Sequence, residues 1–158
     1  MVVFRSEELD LELSFSDNVI HELQRYRQTG AKLETGGMLF TSSLDSNVVD
    51  IDLISSASDL DVRRRFGFKP NKRSAQSMID KNYKNGFYYI GDWHTHPELS
   101  PSPSPQDLKT IKSLFRKSKH DLTFFVILIL CQSNSFKNSY VALADGRIVH
   151  KCKVKTLL

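Results

Sequence analysis

Two histidines separated by a single threonine, His94 and His96, run into Pro97, and the Ser/Pro-rich loop that follows closes on Ser104-Pro105-Gln106-Asp107. No other block restricts the fold of this chain as much. Residues i and i+2 of an extended segment face the same side, so the two imidazoles project together. The aromatic-rich run Phe87–Trp93 leads straight into them and has the composition of a strand. Ser104 to Asp107 reads as a capping box, with serine at the N-cap, proline at N1 and an acid at N3. A fold that brings this strand end to this helix start gathers two neutral imidazoles and a carboxylate and leaves a fourth position vacant. That is the ligand set of a hydrolytic zinc centre.

The rest of the chain supplies a mixed α/β frame. Ser16 caps a helix carrying Val19, Ile20, Leu23 and Tyr26 at helical spacing, with an end expected near Thr29-Gly30. Glu34-Thr35-Gly36-Gly37 opens a short apolar strand, and Val48 to Ile54 reads as its strand partner. A second amphipathic helix fits 72–84, with Ala75, Met78, Ile79 and Tyr83 on one face. A third begins near Ser104 and carries Leu108, Ile111, Leu114 and Phe115. Strands follow at 122–131, 138–144 and 147–154, with Asp145-Gly146 as a hairpin turn. The fold class expected is α/β of the α+β type: a single mixed, partly antiparallel sheet flanked by about three helices.

Length and composition narrow the function classes. At 158 residues the chain is expected to be one domain, 1–158. Its longest apolar run, Phe124 to Leu130, falls far short of the ~20 residues a membrane helix needs, so it reads as a strand buried on both faces. The opening residues turn acidic at Glu7-Glu8 before any signal-like apolar region develops, so a cytoplasmic location and no membrane contact are expected. Cys131 and Cys152 are too few for a disulfide framework and read as reduced thiols. A mild basic excess, 22 Lys and Arg against 18 Asp and Glu, clusters at Arg63-Arg64-Arg65, Lys69, Lys72 and Arg73, and again at Lys109, Lys112, Arg116, Lys117 and Lys119. Such a run is usually a solvated face. No nucleic-acid motif accompanies it, so no nucleic-acid partner is assigned, and an acidic face on a protein partner is the other reading.

The block His94-x-His96-Pro97, then Ser104-x-x-Asp107, with Glu34 upstream, resembles the signature of the JAMM (JAB or MPN-plus) metalloprotease family. The sequence style around Glu34-Thr35-Gly36-Gly37 and Gly91-Asp92-Trp93-His94 is similar to the small bacterial JAB isopeptidases of CBASS antiphage operons. The resemblance implies a JAB/MPN, cytidine-deaminase-like architecture and one Zn2+ per chain on His94, His96 and Asp107. It also implies Glu34 as general base and Ser104 as hydrogen-bond donor to the developing oxyanion. The implied activity is a deubiquitinase-like isopeptidase that cuts after the C-terminus of a ubiquitin-like protein or a CD-NTase-type nucleotide cyclase joined to a target. Taken alone, Ser104 and Asp107 are more often helix caps than catalytic groups, and Glu34 is most often a surface glutamate. Two alternatives stay open: a processing protease for a sulfur-carrier protein, and a metal-free scaffold of the same fold.

Overall fold

The computed structural model of the protein describes residues 1–156. The central feature is a six-stranded sheet built on the longest apolar run. Strand β9 (Phe125–Leu130) is buried at every position, and the two faces of its pleat feed two cores. Val126, Leu128 and Leu130 join one cluster with Phe4, Leu13, Phe15, Leu39 and Trp93. Phe125, Ile127 and Ile129 join a second with Ile111, Tyr140, Ala142 and Ala144. Helix α3 (Pro105–Lys117) covers that second face, with Ile111 buried and Leu114 and Phe115 packed against the cluster.

In space the sheet runs β11 (Val149–Lys151), β10 (Tyr140–Ala144), β9, β8 (Tyr88–Thr95), β3 (Gly36–Thr41), β5 (Leu53–Ile54). All neighbours are antiparallel except β8 and β9. A parallel pair needs a long crossover, and α3 provides it. Gly91 sits where β8 passes β9. A Cβ there would lie 2.0 Å from the Val126 carbonyl oxygen.

A second sheet covers the other face in the order β12 (Lys153–Val154), β1 (Val2–Ser6), β2 (Leu11–Phe15), β4 (Val48–Ile51). Helix α1 (Asp17–Gln24) adds Val19 and Leu23 to the shared core. The mixed α+β class with three helices therefore holds, but the strands divide between two sheets and a separate hairpin instead of forming one sheet. The segment 48–54 is itself split: β4 pairs in parallel with β2, and only β5 pairs with β3.

The helices also differ in detail from the pattern in the sequence. Helix α1 ends at Gln24, and Tyr26 leaves it to tilt against Trp93 at 5.4 Å between ring centroids. Helix α2 (Lys72–Lys84) has the expected bounds, but its buried residue is Asn82. Tyr83 is exposed and meets Tyr88 edge-on. The opening hairpin β1–β2 had no glycine or asparagine to mark its turn, where Asp10 takes a positive φ of 48°. The arginine-rich segment is not featureless surface either. It folds into a two-stranded hairpin, β6 (Val62–Arg64) and β7 (Gly67–Lys69).

Candidate metal centre

The register of β3 against β8 explains how residues sixty positions apart meet. Gly36 pairs with His94 and Gly37 with Trp93. Continued past Gly36, the same antiparallel register sets Thr35 opposite Thr95 and Glu34 opposite His96. Thr95 N–H donates to the Thr35 carbonyl at 2.8 Å, and Thr35 N–H donates to Thr95 Oγ1 at 3.0 Å. The Thr95 hydroxyl in turn donates to Gln28 Oε1 at 3.2 Å. Gly36 is required for this approach, because a Cβ there would lie 2.4 Å from the Trp93 carbonyl oxygen; on the other side of β3, a Cβ at Gly37 would lie 1.9 Å from the Ser55 carbonyl oxygen.

Along β8 the side chains alternate as the pleat demands. Trp93 and Thr95 are buried in the face shared with the second sheet, whereas His94 and His96 are only partly covered. Beyond the strand end, His96 N–H still donates to the Leu130 carbonyl at 3.2 Å, so the second imidazole is held beside β9. Gln132 N–H donates to the Glu98 carbonyl at 2.9 Å and pins the start of the following loop.

The loop ends in the capping box read from the sequence. Asp107 N–H donates to Ser104 Oγ at 3.0 Å, and Ser104 N–H donates to Asp107 Oδ2 at 2.9 Å. This cap fixes the Asp107 carboxylate against both imidazoles. Its Oδ1 lies 3.3 Å from His94 Nε2 and its Oδ2 lies 3.3 Å from His96 Nε2. Glu34 closes the group: ligand atoms of Glu34, His94 and His96 lie within 4.8 Å of one another. All four sequence-predicted donors thus converge, and Ser104 stands at the same helix start. The Ser104 oxygen accepts the Asp107 amide, which leaves its hydroxyl proton free to donate.

The electrostatics separate the two acids. Burial disfavours a charged Asp107, but the two imidazoles 3.3 Å from its oxygens, those of His94 and His96, outweigh it and hold the carboxyl well below the usual range. Glu34, only 4% exposed, is pushed the other way by burial, and the charges of the histidines offset this only in part. Burial opposes a charged His96, yet Asp107 raises it above its ordinary value. His94 Nε2 is the one buried side-chain polar atom among the described residues that lacks a hydrogen-bond partner. An orphaned imidazole nitrogen facing two carboxylates and a second imidazole fits a divalent cation of the zinc type.

Sequence reasoning left three neighbours without a role. Glu98 Oε2 lies 3.7 Å from His96 Nδ1. Asp92 accepts a 2.8 Å hydrogen bond from the Tyr89 hydroxyl, and burial pushes its carboxyl up to about 6. The β6–β7 hairpin touches the site through its backbone and one side chain: Glu34 N–H donates to the Arg64 carbonyl at 2.7 Å, and the Arg63 side-chain Nε donates to the Glu34 carbonyl at 3.1 Å. The local signals for the first two, a Glu after His-Pro and a Tyr-x-x-Asp, do not specify a contact.

The family of prokaryotic homologs of the JAB domain matches residues 16–143, which include every residue of the site. The chain belongs to that family. This JAB protein is 31% identical over 119 residues to a probable metalloprotease, y4qB, from Sinorhizobium fredii, covering 73% of each chain. It is 29% identical over 130 residues to a CD-NTase/cGAS isopeptidase from Enterobacter hormaechei, covering 82% of this chain and 72% of the relative. A CD-NTase/cGAS isopeptidase from Escherichia coli is 34% identical over 108 residues, or 66% of this chain and 69% of the relative. The fold also matches the solution structure of protein DSY2949 from Desulfitobacterium hafniense, with a TM-score of 0.66 at 18% identity over 89% of this chain and 90% of that one.

Cys131 and Cys152 are both free and buried, and burial raises the Cys152 thiol to about 12. Among the described residues no helix is long and apolar enough to cross a membrane.

Proposed function

We propose that residues 1–158 of this JAB protein form one hydrolytic domain, a zinc-dependent isopeptidase that cleaves an amide bond joining the C-terminal tail of one protein to another. The observation that carries this reading is the convergence of His94, His96, Asp107 and Glu34 in one half-buried cluster with an orphaned imidazole nitrogen. The likeness to relatives named CD-NTase/cGAS isopeptidase makes a conjugate of a CD-NTase the first substrate to test. An antiphage role and a cytoplasmic location follow from the same reading.

His94, His96 and Asp107 would hold one zinc per chain, with Glu34 free of it. A zinc held there would polarise the scissile carbonyl and lower the pKa of water from about 15.7 to roughly 7. Asp107, kept ionised by its two histidine neighbours, suits a ligand. Glu34, raised by burial, suits a proton carrier: it takes a proton from the attacking water and returns it to the departing amine nitrogen. Ser104 donates a hydrogen bond from its hydroxyl to the carbonyl oxygen as negative charge gathers there.

Metal content by inductively coupled plasma mass spectrometry, paired with cleavage of a lysine-linked CD-NTase tail conjugate, tests the assignment. Wild type is expected to carry about one zinc and to cleave. Glu34→Ala keeps the zinc and loses turnover. His94→Ala and Asp107→Ala lose both. A Glu34→Ala protein without metal would make Glu34 a ligand, and full zinc in Asp107→Ala would remove Asp107 from the ligand set.

A further inference from the structure

The segment 62–73 concentrates Arg63, Arg64, Arg65, Lys69, Lys72 and Arg73, and none of the six forms an ion pair among the described residues. The carboxylates nearest in sequence are Asp59 and Asp61. Asp61 is taken up at the hairpin base, where it accepts from Ser58 N–H at 2.8 Å and from Asn71 N–H at 2.6 Å. Lys72 and Arg73 stand in the first turn of α2, which carries no acidic residue. Cations are disfavoured at a helix N-terminus, so the chain keeps this charge at a cost to α2.

The same surface is apolar as well as cationic. Phe66 at the hairpin tip is 77% exposed and Leu60 is 67% exposed, with Val62 also open to solvent. Arg65 lies over the Phe66 ring at 5.5 Å. Leu60, Val62, Lys69 and Lys72 line a shallow depression between the hairpin and α2. Hydrogen bonds fix this surface to the residues of the candidate metal centre. Besides the two bonds joining Glu34 to Arg63 and Arg64, Gln28 Nε2 donates to the Arg65 carbonyl at 2.7 Å, and the Phe68 ring packs over Gly36. Whatever rests on the hairpin is therefore held beside the bond-cleaving groups.

We propose that the β6–β7 hairpin and the first turn of α2 receive a carboxylate-rich, extended segment of the protein substrate, with an apolar residue of that segment against Phe66. This deepens the hydrolase reading and rests on it for the word substrate. The charge complementarity stands apart from it. One exposed ring, Phe66, with the aliphatic Leu60 and Val62 for company, suits an apolar side chain of a polypeptide better than a row of stacked bases.

Fluorescence anisotropy reads the surface without cleavage. Two labelled peptides of equal length are compared, one carrying four glutamates beside a leucine, the other with glutamine in their place. The zinc-loaded wild type is expected to bind the glutamate peptide roughly tenfold tighter, as several weak exposed ion pairs would give. That preference should shrink between about 0.05 and 0.3 M salt. Arg64→Glu with Arg65→Glu abolishes it, while Lys109→Glu with Lys117→Glu on α3 leaves it intact. Circular dichroism and zinc content confirm that each variant is folded. Equal binding of the two peptides, or a preference that survives the arginine reversal, overturns the proposal. So does a thymidine oligonucleotide that binds more tightly than the glutamate peptide. A wild type that prefers the acidic peptide but cleaves no conjugate refutes the hydrolase reading and leaves the surface standing.

Discussion

Asp92 shows how a single side chain carries strain for the site. It lies two residues before His94 on β8, half-buried, and its one hydrogen bond comes from Tyr89. Burial raises its carboxyl from 3.8 to about 6, and the Tyr89 bond offsets this only partly. A carboxyl raised on folding helps stability fully below its unfolded value and loses that contribution as pH rises through the folded value. At pH 7.5 the charged Asp92 therefore costs stability. Asp92→Asn keeps an oxygen for Tyr89 to donate to and removes the charge. We expect it to stabilise the chelator-treated protein by ~1–3 kcal/mol at pH 7.5. The gain should fade toward pH 4. Urea midpoints at the two pH values measure it, and an equal gain at both would show that the charge is not the cause.

Elements decide how the residues are aimed. Helix α3 begins with Ser104, which serves both as cap and as candidate donor, and the two roles can be separated. Glycine replaces serine at an N-cap for only a few tenths of a kcal/mol. Ser104→Gly should therefore keep nearly all the stability, while losing an oxyanion donor typically lowers turnover by about 10²–10³. Thermal unfolding beside cleavage rates separates the outcomes. A variant that is stable and fully active would reduce Ser104 to a cap. The motif spacing in the sequence announced this helix start, because serine, proline and aspartate each have a local reason to be there. The hairpin at 62–69 had no such signal. Its strands are short and charged, and their pairing depends on bonds to Glu34 and Gln28 far away in the chain.

At the scale of the whole molecule, the candidate metal centre is a junction. Glu34 precedes β3, His94 and His96 lie at the end of β8, and Asp107 opens α3. A zinc held by His94, His96 and Asp107 would close the loop between the end of β8 and the start of α3, and ligand binding to the folded state alone adds stability by mass action. At a hundredfold excess over Kd the gain is roughly 2.7 kcal/mol. For a chain of this size that corresponds to a rise of about 5–10 °C in Tm. Differential scanning fluorimetry with and without zinc should show it in wild type, and His94→Ala should show no shift. A wild type indifferent to zinc would contradict the centre.

Local chemistry alone determined where α2 and α3 begin and that Phe125–Leu130 is a strand buried on both faces, and it picked out the candidate metal ligands. Those properties depend on neighbours within a few residues: side-chain alternation, caps and an unbroken apolar run. The tertiary structure decided the rest. It split 48–54 between two sheets, turned Tyr83 outward, and folded the arginine run against Glu34. It also set the β3–β8 register that brings Glu34 opposite His96. Each of these outcomes depends on which strand lies next to which, and that is settled by competition for a common core between segments distant in the chain.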